Sequence, residues 1–239
     1  MSIQRPESEA KIAAMFDRVA PRYDLLNRLL SARQDQRWRR QLTAMVPYRP
    51  GGRYLDVATG TGDVLLSVAR ARAEYQEHLG VDISGEMLAE AQKKATASGL
   101  APVPQLRQMS AERLVLADGA FDCLSISFGL RNVVRRDQAL REFYRVLGPG
   151  GVLLILEFFL PRKGLLAWFF QLYFHRILPF IGGLLSDREA YRYLPESVGS
   201  FYTPEAMREA LYQQGFTVAT TQSYLFGACR LIQAVKGCN

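Results

Sequence analysis

The stretch Tyr54-Leu55-Asp56-Val57-Ala58-Thr59-Gly60-Thr61-Gly62-Asp63 constrains the fold more than any other part of the chain. A short apolar run ends in a carboxylate, and a glycine-rich turn then leads into a helical pattern. About twenty residues on, Leu79-Gly80-Val81 runs into a second acid, Asp82, at the distance a doubly wound sheet requires. In such a sheet the glycine turn lets backbone approach a ligand closely. The second acid accepts hydrogen bonds from ribose hydroxyls. A glycine pair alone is weak evidence, because many turns use glycine. Joined to the second acid, it points to a nucleoside-type ligand.

The turn also narrows the choice of nucleoside. A dinucleotide fingerprint needs a third glycine three positions after the second, for close helix–strand packing. That position is Leu65. The order Asp-x-Ala-x-Gly-x-Gly instead resembles the first motif of class I S-adenosylmethionine-dependent methyltransferases, with Ala58 in place of that class's usual first glycine.

From Arg53 onward, strand and helix patterns alternate. Strands are expected at 53–57, 79–83, 105–109, 122–127, 152–158, 216–221 and 229–235. Helices are expected at 63–73, from the N-cap Ser84 to a stop at Gly99, after Asp137 as cap, and from Thr203-Pro204-Glu205 to Gly215. In the helix after Asp137, Leu140, Tyr144 and Leu147 are expected to share a face. Before the alternation, residues 8–47 read as helical: Ile12, Met15 and Phe16 recur at helical spacing, as do Leu25, Leu26, Leu29 and Leu30. Such alternation means an α/β sheet with helices on both faces, and 239 residues suit one domain.

One insertion, 164–185, breaks the pattern with its Leu, Phe, Ile, Trp and Tyr content. It is about long enough to cross a bilayer, but Gln171, His175, Arg176 and Pro179 count against that. A helix buried against the domain and an interfacial segment receiving a greasy substrate, aided by Trp168 and Arg176, both fit. Three cysteines without C-x-x-C spacing and two histidines argue against a structural zinc site and suit a reducing cytoplasm. The first thirty residues lack the apolar core of a signal peptide. A net charge of +7 admits nucleic acid or anionic lipid as partners, yet the basic residues are dispersed apart from Arg37-Trp38-Arg39-Arg40, and no nucleic-acid motif accompanies them.

Further blocks carry a closer resemblance. Met15-Phe16-Asp17-Arg18-Val19-Ala20, Tyr23-Asp24-Leu25-Leu26-Asn27, Trp38-Arg39 and Leu156-Glu157-Phe158 are similar to the ubiquinone/menaquinone biosynthesis C-methyltransferase family. The selective blocks are Ser127-Phe128-Gly129-Leu130-Arg131-Asn132-Val133 and Tyr191-Arg192-Tyr193-Leu194-Pro195-Glu196-Ser197. The resemblance implies the Rossmann-like, doubly wound seven-stranded sheet of class I methyltransferases, with an N-terminal helical cap (8–47) and a helical insertion (164–202) after the fifth strand. It further implies methyl transfer from S-adenosyl-L-methionine to a ring carbon of a polyprenylated quinol. Cofactor contacts are then expected at Asp56, Gly60, Thr61, Gly62, Asp82, Ser110, Ala111 and Ser127. The family commonly has Asn or Asp at the position of Ser110, and Leu-Pro-Phe where this chain has Leu114-Val115-Leu116. A serine offers less reach toward the adenine amine.

That chemistry sets its own requirements. A methyl sulfonium is electrophilic, so the site must align a nucleophile with it; a reduced quinol serves, and an electron-poor quinone does not. The attacked carbon then loses a proton, which calls for an acceptor and for a donor or cation beside the phenolate, with no metal. Arg131 is a candidate to steady the phenolate or orient a water, with a salt bridge as the alternative. Asn132 is a candidate to orient ring oxygen or water. Tyr191, Tyr193 and Tyr23 are candidate walls for the ring, and His175 a candidate base. Two other readings share the fold. A nucleic-acid methyltransferase is disfavoured because Ser127-Phe128-Gly129-Leu130 replaces Asn/Asp-Pro-Pro-aromatic, and a non-enzymatic quinone carrier because Gly60, Gly62 and Asp82 are intact. Peripheral contact at the inner face of a membrane through 164–185 is the remaining expectation.

Overall fold

A computed structural model describes residues 8–160 and 188–238. The apolar stretch 164–185, including Trp168, His175 and Arg176, lies outside the described residues. Three helices come first: α1 (Glu9–Val19), α2 (Tyr23–Leu30) and α3 (Gln34–Met45). Ser8 starts α1 by accepting a hydrogen bond from the Lys11 N–H, and Pro21 falls in the tight turn Ala20–Arg22 that separates α1 from α2. The leucines of α2 divide unexpectedly. Leu26 is 1% exposed, whereas Leu25 and Leu29 are 67% and 55% exposed.

The sheet follows as β1 (Arg53–Val57), β2 (Glu77–Asp82), β3 (Gln105–Gln108), β4 (Phe121–Ser127), β5 (Leu147–Phe158), β6 (Phe216–Tyr224) and β7 (Cys229–Lys236). Its order is β3-β2-β1-β4-β5-β7-β6. The first five strands run parallel, and β7 pairs antiparallel with both β5 and β6. Helices α4 (Asp63–Ala71), α5 (Gly85–Ala97) and α6 (Arg136–Val146) connect parallel strands. Then α7 (Arg188–Gly199) and α8 (Pro204–Gln213) precede the terminal hairpin. The expected Rossmann-like, doubly wound architecture of seven strands is present.

Period-two alternation along the strands builds two cores. Leu153 and Ile155 face one side with Leu55, Val57 and the α6 residues Leu140 and Phe143. Leu154 and Leu156 face the other with Tyr54, Trp38 of α3 and Leu65 of α4. All four β5 residues are 0% exposed, and burial of each such side chain contributes about 1.5–3 kcal/mol. This double coverage fixes the strand tips on which the site is built.

Two local expectations are corrected. Asp137 does not cap α6: Arg135 occupies the cap, and Asp137 sits in the first turn, where its carboxylate accepts a hydrogen bond from the Tyr202 hydroxyl. Leu147 leaves the helix and opens β5 by pairing with Phe121. The glycines after it pass close to the neighbouring chain, since a Cβ on Gly148 would lie 3.2 Å from the Gly119 carbonyl oxygen. A register shift between Phe121 and Cys123 absorbs the irregularity.

Candidate functional site

The strand order reverses between β1 and β4, and a cleft of about 640 Å³ opens at the carboxyl ends of the strands there. Ala58 and Gly60 after β1, Asp82 and Ile83 at the end of β2, and Ser127 and Gly129 after β4 line it.

The glycine turn forms its floor. Gly60 has φ +56°, and a Cβ built on it meets no protein atom within 4 Å. Its N–H donates to Asp82 Oδ2 at 2.9 Å, while Ser84 N–H donates to Oδ1 at 2.9 Å. Asp82 is therefore held between the first two loops. Burial raises its carboxyl pKa, against these two backbone hydrogen bonds. A carboxylate accepts about four hydrogen bonds, so Asp82 keeps acceptor capacity for further donors in the cleft. Ala58 has φ +51°, in the left-handed region that favours glycine, and its methyl stands where a Cβ on Gly129 would approach to 2.5 Å. One methyl is admitted at this crossing, not two.

Of the residues expected to touch a cofactor, Gly60, Asp82, Ala111 and Ser127 line the cleft, joined by the catalytic candidate Asn132. Ser127 Oγ and Asn132 Oδ1 are buried without a hydrogen-bond partner. Leaving such an atom unsatisfied costs about 1–3 kcal/mol, so two of them on one cleft mark where a polar ligand completes the structure. The residues present thus fit an S-adenosyl ligand: an acid for ribose, an open glycine turn, and two polar groups lacking partners.

Asp56, Thr61, Gly62 and Ser110 do not line the cleft, and the first two support it from beneath. Asp56 accepts from Thr59 Oγ1 at 2.7 Å and from Ser125 Oγ at 2.5 Å, and Ser125 is shared with the Tyr54 hydroxyl. Burial pushes the Asp56 pKa up to about 6. Thr61 donates to Asp24 Oδ1 at 2.6 Å and accepts from Lys94 Nζ at 3.0 Å. At Gly62 (φ +82°) a Cβ would come 3.1 Å from the Ala91 methyl, so glycine brings α4 and α5 together. The Ser110 hydroxyl is turned to Glu9.

Arg131 also turns away from the cleft. Its Nη1 reaches Glu157 Oε1 and the Phe128 carbonyl, each at 2.6 Å, and Glu157 is 0% exposed. The salt-bridge alternative is the one realised. Tyr193 is half-buried near this pair, and burial raises its phenol pKa. Tyr191 belongs to α7, but the placement of its side chain lies outside the described residues, as does all of His175. Tyr23 lines the cleft.

The sequence reading missed how far the N-terminal helices contribute. Glu9, Ile12 and Phe16 of α1 form one wall. Three acids fasten these helices to the three loops that carry the site. Asp24 holds Thr61 after β1, Asp17 holds Ser84 after β2 at 2.6 Å, and Glu9 holds Ser110 after β3. The apolar spacing of Ile12 and Phe16 signalled a helix with a buried face, but not what that face would meet.

A model of the ubiE/COQ5 methyltransferase family matches residues 4–236. The chain belongs to the ubiE/COQ5 methyltransferase family. Members similar to it include the ubiquinone/menaquinone biosynthesis C-methyltransferase UbiE of Syntrophotalea carbinolica, 50% identical over 207 residues, with 84% of each chain covered. The demethylmenaquinone methyltransferase of Thermus thermophilus is 48% identical over 207 residues, covering 85% of this chain and 92% of that one. Among solved structures, the cyclase SpnF superposes with TM-score 0.73 at 20% identity, over 100% of this chain and 99% of that one. A SAM-dependent methyltransferase from Aquifex aeolicus gives 0.60 at 18% identity, over 82% and 88%. These structures share the ubiE/COQ5 fold, and a cyclase among them illustrates that the fold alone does not dictate chemistry.

Proposed function

We propose that this member of the ubiE/COQ5 family transfers a methyl group from S-adenosylmethionine to a ring carbon of a polyprenylated quinol in quinone biosynthesis. The observation that carries the reading is membership of the ubiE/COQ5 family over residues 4–236, and the cleft beside the Gly60–Asp82 contact, where Ser127 Oγ and Asn132 Oδ1 lack partners, supports it. The names of the relatives, one for demethylmenaquinone and the others for ubiquinone/menaquinone biosynthesis, support a demethylmenaquinol or a methoxy-benzoquinol as acceptor. The chain acts as a single methyltransferase domain, with 8–47 as its cap and 164–202 as an apolar insertion.

When bound, the cofactor supplies a methyl group on positively charged sulphur, reactive without a metal. The protein contributes placement. Asp82 and Gly60, which line the cleft after β2 and β1, would hold the ribose. Asn132 offers an amide to a ring oxygen or to a water that removes the ring proton. Arg131 is a positioning residue: joined to Glu157, it holds the turn Leu130–Asn132 on which Asn132 sits. Tyr23 and Phe16 offer flat surfaces to the quinol ring. Tyr191 and His175 are assigned to the ring wall and the proton acceptor, and 164–185 to peripheral contact with the membrane that holds the prenyl tail.

Incubation with methyl-labelled S-adenosylmethionine tests the proposal. Label is expected in a reduced demethyl-quinol and absent from the oxidised quinone. Equal labelling of both, or of neither, refutes it. Flotation with anionic vesicles tests the membrane contact.

A further inference from the structure

We infer that Glu9, on the N-terminal helix, recognises the exocyclic amine of the adenine ring and so sets the purine selectivity of the cleft. The inference rests on the reading of the cleft as an S-adenosyl site. With ribose held at Asp82, the base would lie toward the loop after β3. There the walls are the apolar side chains of Ile83, Met109, Ala111 and Ile12, a slot suited to a flat ring. Such walls carry no information about the ring's polar edge. That edge must be read by a hydrogen-bonding group at the slot's rim.

Glu9 is the acid that lines the cleft at this end. Its Oε1 accepts the Ser110 hydroxyl proton, and Ser110 Oγ in turn accepts the Glu112 N–H at 3.0 Å. The serine proton is therefore committed to Glu9, which fixes the carboxylate in place. Among the described residues, Glu9 Oε2 has no hydrogen-bond partner. An ionised carboxylate accepts and never donates. It suits an amine, which donates, and repels the carbonyl of a 6-oxo purine, which also accepts. Ser110 does not line the cleft, and its hydroxyl is turned to Glu9, so it orients an acid that lines the cleft from another element. The N-terminal helix thereby becomes part of ligand selection rather than a cover.

Calorimetry of the full chain with S-adenosylhomocysteine and S-inosylhomocysteine tests this directly. The native chain is expected to prefer the adenosyl ligand. Glu9→Gln is expected to compress that preference at least about tenfold, because its amide presents a donor to the oxo group. An unchanged ratio in Glu9→Gln overturns the inference, even if both ligands weaken together, because equal weakening is what a purely structural tie to Ser110 produces. Ser110→Ala keeps the carboxylate and is expected to retain the preference. Its loss there, with retention in Glu9→Gln, assigns the reading to Ser110 instead. A native chain that binds neither ligand removes the S-adenosyl reading of the cleft, and this inference with it, a result distinct from the others.

Discussion

Replacing either partner of the Arg131–Glu157 pair tests whether Arg131 acts through structure or in the cleft. Glu157 is 0% exposed, and its carboxylate accepts from Arg131 Nη1 at 2.6 Å, Phe158 N at 2.8 Å and Arg131 N at 3.2 Å. Glu157→Gln strands a guanidinium that is itself buried; Arg131→Met strands the carboxylate. Losing one member of a buried pair costs about 3–5 kcal/mol, since the other charge stays out of water without compensation. For a chain of this size each kcal/mol moves Tm by about 2–4 °C, so either variant should melt roughly 6–20 °C lower. Arg131→Met/Glu157→Gln leaves no charge, and the glutamine oxygen still accepts the Phe158 N–H. The double variant should therefore cost at least about 2 kcal/mol less than the sum of the singles. Urea denaturation of all four proteins at one pH measures this coupling. Additivity within about 0.5 kcal/mol would refute the reasoning, because the guanidinium would then owe nothing to Glu157 and would be free to serve the cleft.

Asp56 makes a prediction in pH. Its pKa rises from 3.8 to about 6 on folding, so its stabilising contribution is complete below 3.8 and is lost as pH rises through about 6. The shift corresponds to about 3 kcal/mol, and Asp56→Asn should remove it, so the stability of the native chain relative to this variant should fall by that order between pH 4 and pH 7 in urea titrations. Parallel curves for the two proteins would contradict the burial argument. At the crossing of the first and fourth loops, Gly129→Ala should cost about 1–3 kcal/mol from the 2.5 Å approach to the Ala58 methyl. Ala58→Gly in the same chain should recover most of that loss in thermal melts, and no recovery would locate the clash elsewhere.

Features set by near neighbours were legible in the chain. The bounds of β1, Arg53–Val57, were read to the residue, because a compact apolar run there ends at a glycine turn. Ser84 and Thr203 cap their helices as expected, each accepting from an N–H three residues ahead. The acid at the tip of β2 followed from strand pattern alone. What escaped depends on pairs far apart in the chain. The direction of Arg131 is decided by Glu157, 26 residues later. The hydroxyls of Thr61, Ser84 and Ser110 are claimed by acids 37, 67 and 101 residues earlier. Neither periodicity nor spacing records which of many carboxylates will face a given hydroxyl once the sheet assembles. Ala58 shows a subtler limit: as one small residue for another it reads as neutral, yet φ +51° gives its methyl a specific steric meaning.

The fastening of the N-terminal helices also orders how the molecule is made. α1 has 11 residues and α2 has 8, shorter than the 12–15 or so that a lone helix needs to persist in water. Both leave the ribosome before any of the hydroxyls they will hold. Glu9 waits longest, until Ser110 has been added and β3 has docked. The N-terminal helices are thus among the last parts of this fold to become ordered, because the hydroxyls that hold them lie on loops added later.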